Sequence, residues 1–187
     1  MLTIFYILAA LLIVLSFKSL RGGINFLRYT QDELAKPPSS FAPFVSVIAP
    51  CKGLDDGIEK NLATLLDQDY PDYEVIFVVD DDLDQAIPAI ATVTQNIASA
   101  AVTAKMVVAP KTTISSQKVE NLREAVLRVA DESRVFVFVD SDARPAKDWL
   151  RNLVAPLENQ NAGAATGYRW YISENPSFAS ELRSAWN

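Results

Sequence analysis

The sequence predicts an α/β protein with a mostly parallel sheet, helices on both faces of that sheet, and one transmembrane helix at the N-terminus. Two observations lead to this fold class. Short apolar runs rich in β-branched residues alternate with segments whose apolar residues recur at helical spacing. An almost wholly apolar run also opens the chain, and basic residues follow it. Strands that are apolar throughout are typical of parallel sheets, because helices cover both faces of such sheets.

The apolar run extends over Leu2–Phe17 and precedes Lys18, Arg21 and Arg28. It is at the short end for a spanning helix, and a cleaved signal peptide or a buried helix are the alternatives. A signal peptide carries its positive charges before the apolar run and a small-residue cleavage site after it, and this run lacks both features. We therefore predict an uncleaved transmembrane anchor in residues 1–20. The positive-inside rule then places the rest of the chain in the cytoplasm.

After the anchor we expect a juxtamembrane segment and linker in residues 21–43, ending near the Pro/Ser-rich stretch 36–40. Residues 44–187 then form the globular domain. Five strands are predicted there: Phe44–Ala49, Tyr73–Val79, Lys105–Ala109, Val135–Val139 and Ala164–Tyr171.

The helices between the strands are predicted from apolar residues that share one helix face. The first helix has Ile58, Leu62, Leu65 and Leu66, and the second has Ile87, Ile90, Ala91, Thr94 and Ile97. The third has Val119, Leu122, Val126 and Val129, and the fourth has Trp149, Leu150, Leu153 and Val154. Phe178–Trp186 is predicted as a last helix. Asp84 is a candidate N-cap for the second helix, with Pro88 tolerated in its first turn.

Composition restricts the chemistry available to this chain. Among 187 residues there are 17 basic and 23 acidic side chains, a net charge of -6, one cysteine and no histidine. Catalytic triads, Cys-His pairs and His- or Cys-based zinc sites are therefore excluded. Any metal would be held by carboxylates, which favour Mg²⁺ or Mn²⁺. The acidic balance argues against a nucleic-acid partner.

Polar residues follow the strands at the point where each strand ends. Pro50–Gly53 follows the first strand, Asp80–Asp82 the second, Pro110–Lys118 the third and Asp140–Asp142 the fourth. The carboxyl ends of parallel strands meet at one edge of the sheet, and ligands bind there. Two acidic clusters and two lysines should therefore collect at this edge.

The sequence Asp140-Ser141-Asp142 is the sharpest of these features. If the segment stays extended, Asp140 and Asp142 point the same way, about 6–7 Å apart. They could then share a divalent ion that neutralises a diphosphate. The alternative is that Asp142 caps the next helix and Asp140 only ends the strand.

The run Asp80-Asp81-Asp82 is open to the same two interpretations. It is either a turn or a charged cluster held by a cation or by hydrogen-bond donors. Lys118, near a helix start, is either a phosphate contact or a solvated charge. Cys51 has no histidine to activate it and is expected to be an inert packed thiol. Glycine-rich dinucleotide and P-loop motifs are absent from the sequence.

Four sequence segments together resemble a known family: APCKG, LDQDYPDYEVIFVVDDDLD, SSQKVENL and VFVDSDARP. They are similar to family 2 and family 21 glycosyltransferases of the GT-A (Rossmann-like) fold. The ceramide glucosyltransferase-like branch, which includes bacterial enzymes acting on hopanoid or ceramide lipids, is the most similar. The likeness covers about residues 44–187, and the N-terminal anchor is also typical of this branch.

The resemblance implies transfer of a hexose from a nucleotide sugar, usually a UDP-sugar, to a lipid hydroxyl with inversion. It implies that Asp81 is the first family aspartate, near the uridine, and that Asp80 and Asp82 flank it. Asp140 and Asp142 correspond to the motif that holds metal, either Mg²⁺ or Mn²⁺, and diphosphate. The other implied donor-binding residues are Pro50, Lys52, Lys118 and Asn121.

The sequence also departs from the family pattern. Ser116 stands where the family has an asparagine, and Arg169-Trp170 follows the DxD too closely to be the family's (Q/R)xxRW motif. That motif and the third aspartate, which is the general base, are expected beyond Asn187. So are the downstream transmembrane helices usual in this branch.

Two functions therefore stay open. The chain is expected to be the N-terminal part of a longer hexosyltransferase or, alternatively, an inert membrane-tethered module that binds nucleotide sugar without a base. A haloacid-dehalogenase-type phosphatase is disfavoured, because its DxD lies on the first strand and a threonine or similar residue normally follows it.

Overall fold

The computed structural model describes residues 2–36, 39–167, 173 and 175–186. The chain forms two compact units, one within residues 1–38 and the other within residues 39–187.

The first unit is a single helix, α1 (Leu2–Leu34). With 33 residues it is about 50 Å long at 1.5 Å per residue, which exceeds the roughly 30 Å hydrocarbon core of a bilayer. By length and composition, its segment Leu2–Glu33 is a candidate membrane span, and none of it is buried. α1 continues past residue 20, the predicted end of the anchor, because no proline occurs before Pro37 to interrupt the helix.

The second unit contains a four-stranded sheet in the part of the chain that the structure describes, with strand order β3-β2-β1-β4 and every pair parallel. This arrangement confirms the predicted fold class. The strands are β1 (Val45–Pro50), β2 (Tyr73–Val79), β3 (Val102–Val108) and β4 (Val135–Phe138).

Helices cover both faces of this sheet, as expected for strands that are apolar throughout. Buried side chains of α2, α3 and α5 join one core cluster, and those of α4 join a second cluster on the opposite face. The helices are α2 (Ile58–Leu66), α3 (Ile87–Gln95), α4 (Gln117–Val126), α5 (Trp149–Val154) and α6 (Phe178–Trp186). A 3₁₀ turn, Ala155–Glu158, follows α5.

Two predicted strands differ from the structure. β3 begins at Val102 rather than Lys105, because Val102 pairs with Tyr73 and extends the ladder by three residues. Of the predicted fifth strand, residues 164–167 have no regular secondary structure, and the remainder, with Arg169-Trp170, lies outside the described residues.

Three details of the predicted helices are wrong. Ala91 and Val119 were expected on buried faces but are exposed, because α3 buries Ala89, Ile90 and Val93 instead, and α4 buries Glu120, Asn121 and Ala125. Asp84 does not occupy the N-cap of α3, which is Ala86.

Candidate functional site

The carboxyl ends of β1, β2 and β4 and the first turn of α4 surround a cleft of about 470 Å³. Seven of the nine residues predicted as a donor and metal site line it: Pro50, Lys52, Asp80, Lys118, Asn121, Asp140 and Asp142. Cys51, Asp55, Gln117 and Ser141 complete the lining. Asp81 and Asp82 are exposed and are not among the lining residues.

A larger cleft of about 790 Å³ runs along the open edge of β4. It meets the smaller cleft at Pro50, Lys118 and Asp140, but apolar residues and backbone form most of its wall. The carboxylates and amides that could do polar chemistry concentrate in the smaller cleft, which we therefore take as the candidate site.

Asp140 and Lys118 form an ion pair across the cleft, with 2.6 Å between Lys118 Nζ and Asp140 Oδ1. Both side chains are more than half exposed. The ion pair therefore contributes little to stability, and either side chain can leave it to bind another ion. Lys118 lies in the first turn of α4, where backbone N–H groups favour anions. Ser116 caps this helix by accepting a hydrogen bond from Val119 N at 3.3 Å.

The Asp140-Ser141-Asp142 segment is a turn and not an extended strand. Ala143 N donates to Asp140 O at 3.1 Å, and β4 has already ended at Phe138. The expected alternation of the two carboxylates along a strand is therefore wrong, although both still line the cleft. The helix-cap alternative also fails for Asp142, because α5 begins only at Trp149, after Asp148.

Asp80 differs from the other carboxylates because its side chain is only 5% exposed. Lys111 Nζ lies 3.2 Å and Lys52 Nζ lies 3.7 Å from Asp80 Oδ2, so two lysines compensate a nearly buried charge. The family resemblance implied a role toward nucleotide for Lys52 and none for Lys111. The structure shows that both lysines hold the first acidic cluster, which is more than a simple turn.

Asp81 accepts a hydrogen bond from Leu83 N at 3.0 Å and lies 3.6 Å from Lys111 Nζ. The backbone bond is the main cause that lowers the pKa of Asp81, and Lys111 adds to it. Desolvation alone would lower the pKa of Lys111, but Asp80 and Asp81 raise it above its ordinary value. Asp81 and Lys111 therefore stay charged near neutral pH.

Asn121 is buried, and its orientation is fixed by Gln117, a residue that sequence reasoning did not select. Gln117 Nε2 donates to Asn121 Oδ1 at 3.0 Å and to Pro110 O at 2.9 Å, and Gln117 Oε1 accepts from Thr112 N at 3.1 Å. With its oxygen engaged, Asn121 offers its amide N–H groups, which suit phosphate or carbonyl oxygens. The i,i+4 spacing of Gln117 and Asn121 was the available signal.

The loop after β1 is held by Asp84. Gly53 adopts a φ of 67°, a left-handed conformation that favours glycine, and its N–H donates to Asp84 Oδ1 at 2.9 Å. The same oxygen accepts from Ala86 N at 2.8 Å. Burial, assisted by the negative charge of Asp84, raises the pKa of the Cys51 thiol to about 12. Cys51 is therefore an inert thiol, as the lack of histidine predicted.

Two solved structures are similar to part of this chain. PcManGT, a mannosyltransferase from Pyrobaculum calidifontis in complex with GDP-Man and Mn²⁺, matches with a TM-score of 0.52 and 24% identity, over 78% of this chain and 43% of its own. S. aureus TarS 1-349 matches with a TM-score of 0.45 and 25% identity, over 63% of this chain and 33% of its own. The likeness to PcManGT supports the GT-A fold, and this chain spans less than half the length of either protein.

The family assignment rests on nearly the whole chain. The model of glycosyl transferase family 21 matches residues 2–185, which include α1, all four strands and every residue of the cleft. The chain belongs to glycosyl transferase family 21.

Proposed function

We propose that this chain provides the donor-binding domain of a hexosyltransferase that uses a nucleotide sugar, a UDP-sugar, and a membrane lipid as the acceptor. The observation that carries the proposal is the juxtaposition of Asp140, Asp142, Lys118 and Asn121 in one cleft at the start of α4. A diphosphate needs both cationic groups and N–H donors, and this cleft offers both.

On the donor side, each group would have a separate task. Lys118 is exposed and paired only with Asp140 among the described residues, so it can turn to a phosphate oxygen when a donor binds. The amide of Asn121 would donate to the same diphosphate. Pro50, Lys52, Asp80, Asp81 and Asp82 are the residues we propose for the nucleoside side of the donor.

A divalent metal fits this donor set only in part. No group of three or more acidic, histidine or cysteine side chains is close enough to hold a metal within the described residues. Mg²⁺ is commonly bound by one or two carboxylates together with substrate phosphates. We propose that Asp140 and Asp142 hold Mg²⁺ or Mn²⁺ in this way, and PcManGT is a protein of the same fold seen with Mn²⁺. The bound ion would neutralise the charge of the leaving diphosphate.

The acceptor side is proposed from family membership and from α1. A membrane anchor would keep the domain near a lipid substrate, which raises the local concentration of the two partners. An inverting transfer needs a base that takes the proton of the acceptor hydroxyl, and we assign this role to none of the described residues. If the chain has no such base, it is an inert donor-binding module, which is the second candidate.

Isothermal titration of the full chain in detergent with UDP tests donor binding. We expect binding that requires Mn²⁺ or Mg²⁺ and disappears with a chelator. Asp142→Asn should weaken it by more than about tenfold, since removing even an outer partner of a metal site costs this much. Asp131→Asn, an exposed residue beyond α4, is the matched control. Binding of UDP that ignores metal would contradict the proposal, and stronger binding of GDP would overturn the UDP assignment.

Sugar transfer to lipid extracts distinguishes the enzyme from the inert module. We expect transfer when this domain is supplied within a longer family 21 chain. Turnover by the 187-residue chain alone would overturn the inert interpretation, and donor binding without turnover would favour it.

A further inference from the structure

The turn that carries Asp140 and Asp142 belongs to a segment without regular secondary structure. Between the end of β4 at Phe138 and the start of α5 at Trp149 there is no helix or strand that could fix its position. The geometry of the two carboxylates must therefore be set by contacts from elsewhere in the domain.

Arg144, two residues after Asp142, connects this segment to α2. Its Nε donates to Asn61 Oδ1 at 3.0 Å, and Asn61 lies in the first turns of α2 with only 5% exposure. The guanidinium also lies close above the start of α2, because a Cβ added at Gly57 would come within 3.3 Å of Arg144 Nη2. Gly57 has a φ of 76°, so both its backbone conformation and the space above it suit glycine.

The far end of the same segment is held by the loop that follows α2. Gln68 Oε1 accepts from Leu150 N at 3.0 Å, and Gln68 Nε2 donates to Ala146 O at 3.1 Å. Asp69 N donates to Lys147 O at 2.7 Å. Hydrogen bonds thus connect residues 144–150 to α2 and to the loop that follows it. Arg144 makes the first of these contacts along the chain, two residues after Asp142.

Arg144 is exposed and is not among the residues that line the candidate site. A positive charge near the N-terminus of α2 also interacts unfavourably with the helix dipole. Stabilisation of α2 therefore does not explain why Arg144 lies there. Its described hydrogen bond to a nearly buried amide oxygen points instead to a fixed geometry. Asn61 is a neutral acceptor, and the guanidinium of Arg144 fixes the orientation of its side-chain amide.

We propose that Arg144 is a positioning residue that fixes the Asp140–Ala143 turn, through its hydrogen bond to Asn61, in the geometry that binds metal and diphosphate. This inference rests on the proposed donor site, which supplies the function of the turn. Loss of the contact should leave the fold intact but allow the turn to open locally.

Hydrogen exchange and metal-dependent UDP titration of the full chain in detergent test this role. In Arg144→Met we expect amide exchange across residues 140–147 to rise about five- to tenfold, the size expected for one intramolecular hydrogen bond. Mn²⁺-dependent UDP affinity should fall by about tenfold or more, as for other outer partners of metal sites. The thermal unfolding midpoint should stay within the error of wild type.

Three further variants separate positioning from charge and from folding. Asn61→Asp keeps the acceptor oxygen and should preserve both exchange and affinity, whereas Asn61→Ala should reproduce Arg144→Met. Arg128→Met removes an equally exposed arginine, paired with Glu124 on α4, and should change neither measurement.

If amide hydrogen exchange in Arg144→Met equals that of wild type, the positioning role is overturned, whether or not a ligand binds. Faster exchange with unchanged UDP affinity would overturn its connection to the donor site. If wild type shows no metal-dependent UDP binding, the proposed function fails, and exchange alone then decides whether Arg144 fixes the turn.

Discussion

At the residue scale, the lysines of the cleft act as counterions for its carboxylates. Lys118 pairs with Asp140, and Lys111 and Lys52 compensate Asp80. The two arrangements differ in exposure, since Asp140 is 52% exposed and Asp80 only 5%. The pair at Asp140 can exchange for a metal and a phosphate at small cost, whereas removing the lysines beside the nearly buried Asp80 would be costly.

Glu74 is a second nearly buried carboxylate, far from the cleft, and its role is structural. Its side chain is 5% exposed and accepts from Ser46 Oγ at 2.6 Å and Ala130 N at 2.7 Å, with Lys105 Nζ at 2.7 Å. Burial raises the pKa of Glu74, but these three partners outweigh it and hold the pKa below its ordinary value. The ionised form is therefore the one that stabilises the fold.

We predict that Glu74→Gln lowers the free energy of unfolding at pH 7 by about 1–3 kcal/mol, because it removes a charged acceptor from three partners. The folded pKa lies below the unfolded one, so the contribution is present above the ordinary pKa and is lost as pH falls through the folded value. Denaturant unfolding at pH 7 and below pH 4 measures this. The wild-type advantage should shrink in acid, and an advantage that does not change with pH would contradict the assignment.

At the element scale, the contacts of Asp67–Val79, which lie within the family-like segment LDQDYPDYEVIFVVDDDLD, are structural. Tyr70 OH donates to Pro43 O at 2.7 Å, tying the loop after α2 to the segment before β1. Tyr73 OH accepts from Gln68 N at 3.2 Å, and its ring packs edge-on against Tyr70 with centroids 6.1 Å apart. This stretch is thus a folding unit that connects β2 to the loop after α2 and to the segment before β1.

Tyr70→Phe tests this structural role. Tyr70 is 3% exposed, and burial raises its pKa to about 12, so its hydroxyl is protonated and donates at neutral pH. Removing the hydroxyl leaves Pro43 O without that donor, and we expect a loss of about 1–2 kcal/mol in the free energy of unfolding. Metal-dependent UDP affinity should not change in the folded variant. A large fall in affinity at unchanged stability would place Tyr70 in the donor site instead.

The sequence was a good guide where one local pattern decided the structure. β2 was predicted with its correct ends, because its apolar run is flanked by Asp72 and Asp80. β3 was predicted three residues short at its start, because Val102, Thr103 and Ala104 pair with β2, and only the register shows this. The face of α4 was misjudged at Val119 because Glu120 and Asn121 turn inward, and a buried polar residue leaves no apolar periodicity.

The candidate site was predicted from the sheet edge more reliably than its internal contacts. The carboxyl ends of parallel strands must meet, so Asp80 and Asp140 were expected near each other. The turn at Asp140 and the hydrogen bond from Gln117 to Asn121 are local in sequence, but the contact of Arg144 with Asn61 joins residues 83 positions apart. No spacing along the chain reveals contacts of that kind.

At the scale of the whole molecule, the chain combines an apolar unit with a unit that carries a cleft lined by charged side chains. α1 is apolar and unburied, and the second unit carries the acidic cleft. A donor such as a UDP-sugar is water-soluble and a lipid acceptor is not, so an anchor and a soluble donor domain are the combination that the proposed reaction needs. The side of the membrane on which the cleft lies then decides which pool of nucleotide sugar it meets.

We predict that the cleft faces the cytoplasm, because Lys18, Arg21 and Arg28 all follow the apolar run of α1. With the full chain expressed in bacteria, a C-terminal fluorescent protein should be bright and a C-terminal alkaline phosphatase inactive. The chain should also resist carbonate extraction from membranes. Replacing the three basic residues by glutamine and inserting three lysines after Met1 should reverse the reporters, since the charge bias sets orientation. An active phosphatase on the unmodified chain would contradict the orientation, and release by carbonate would contradict the anchor itself.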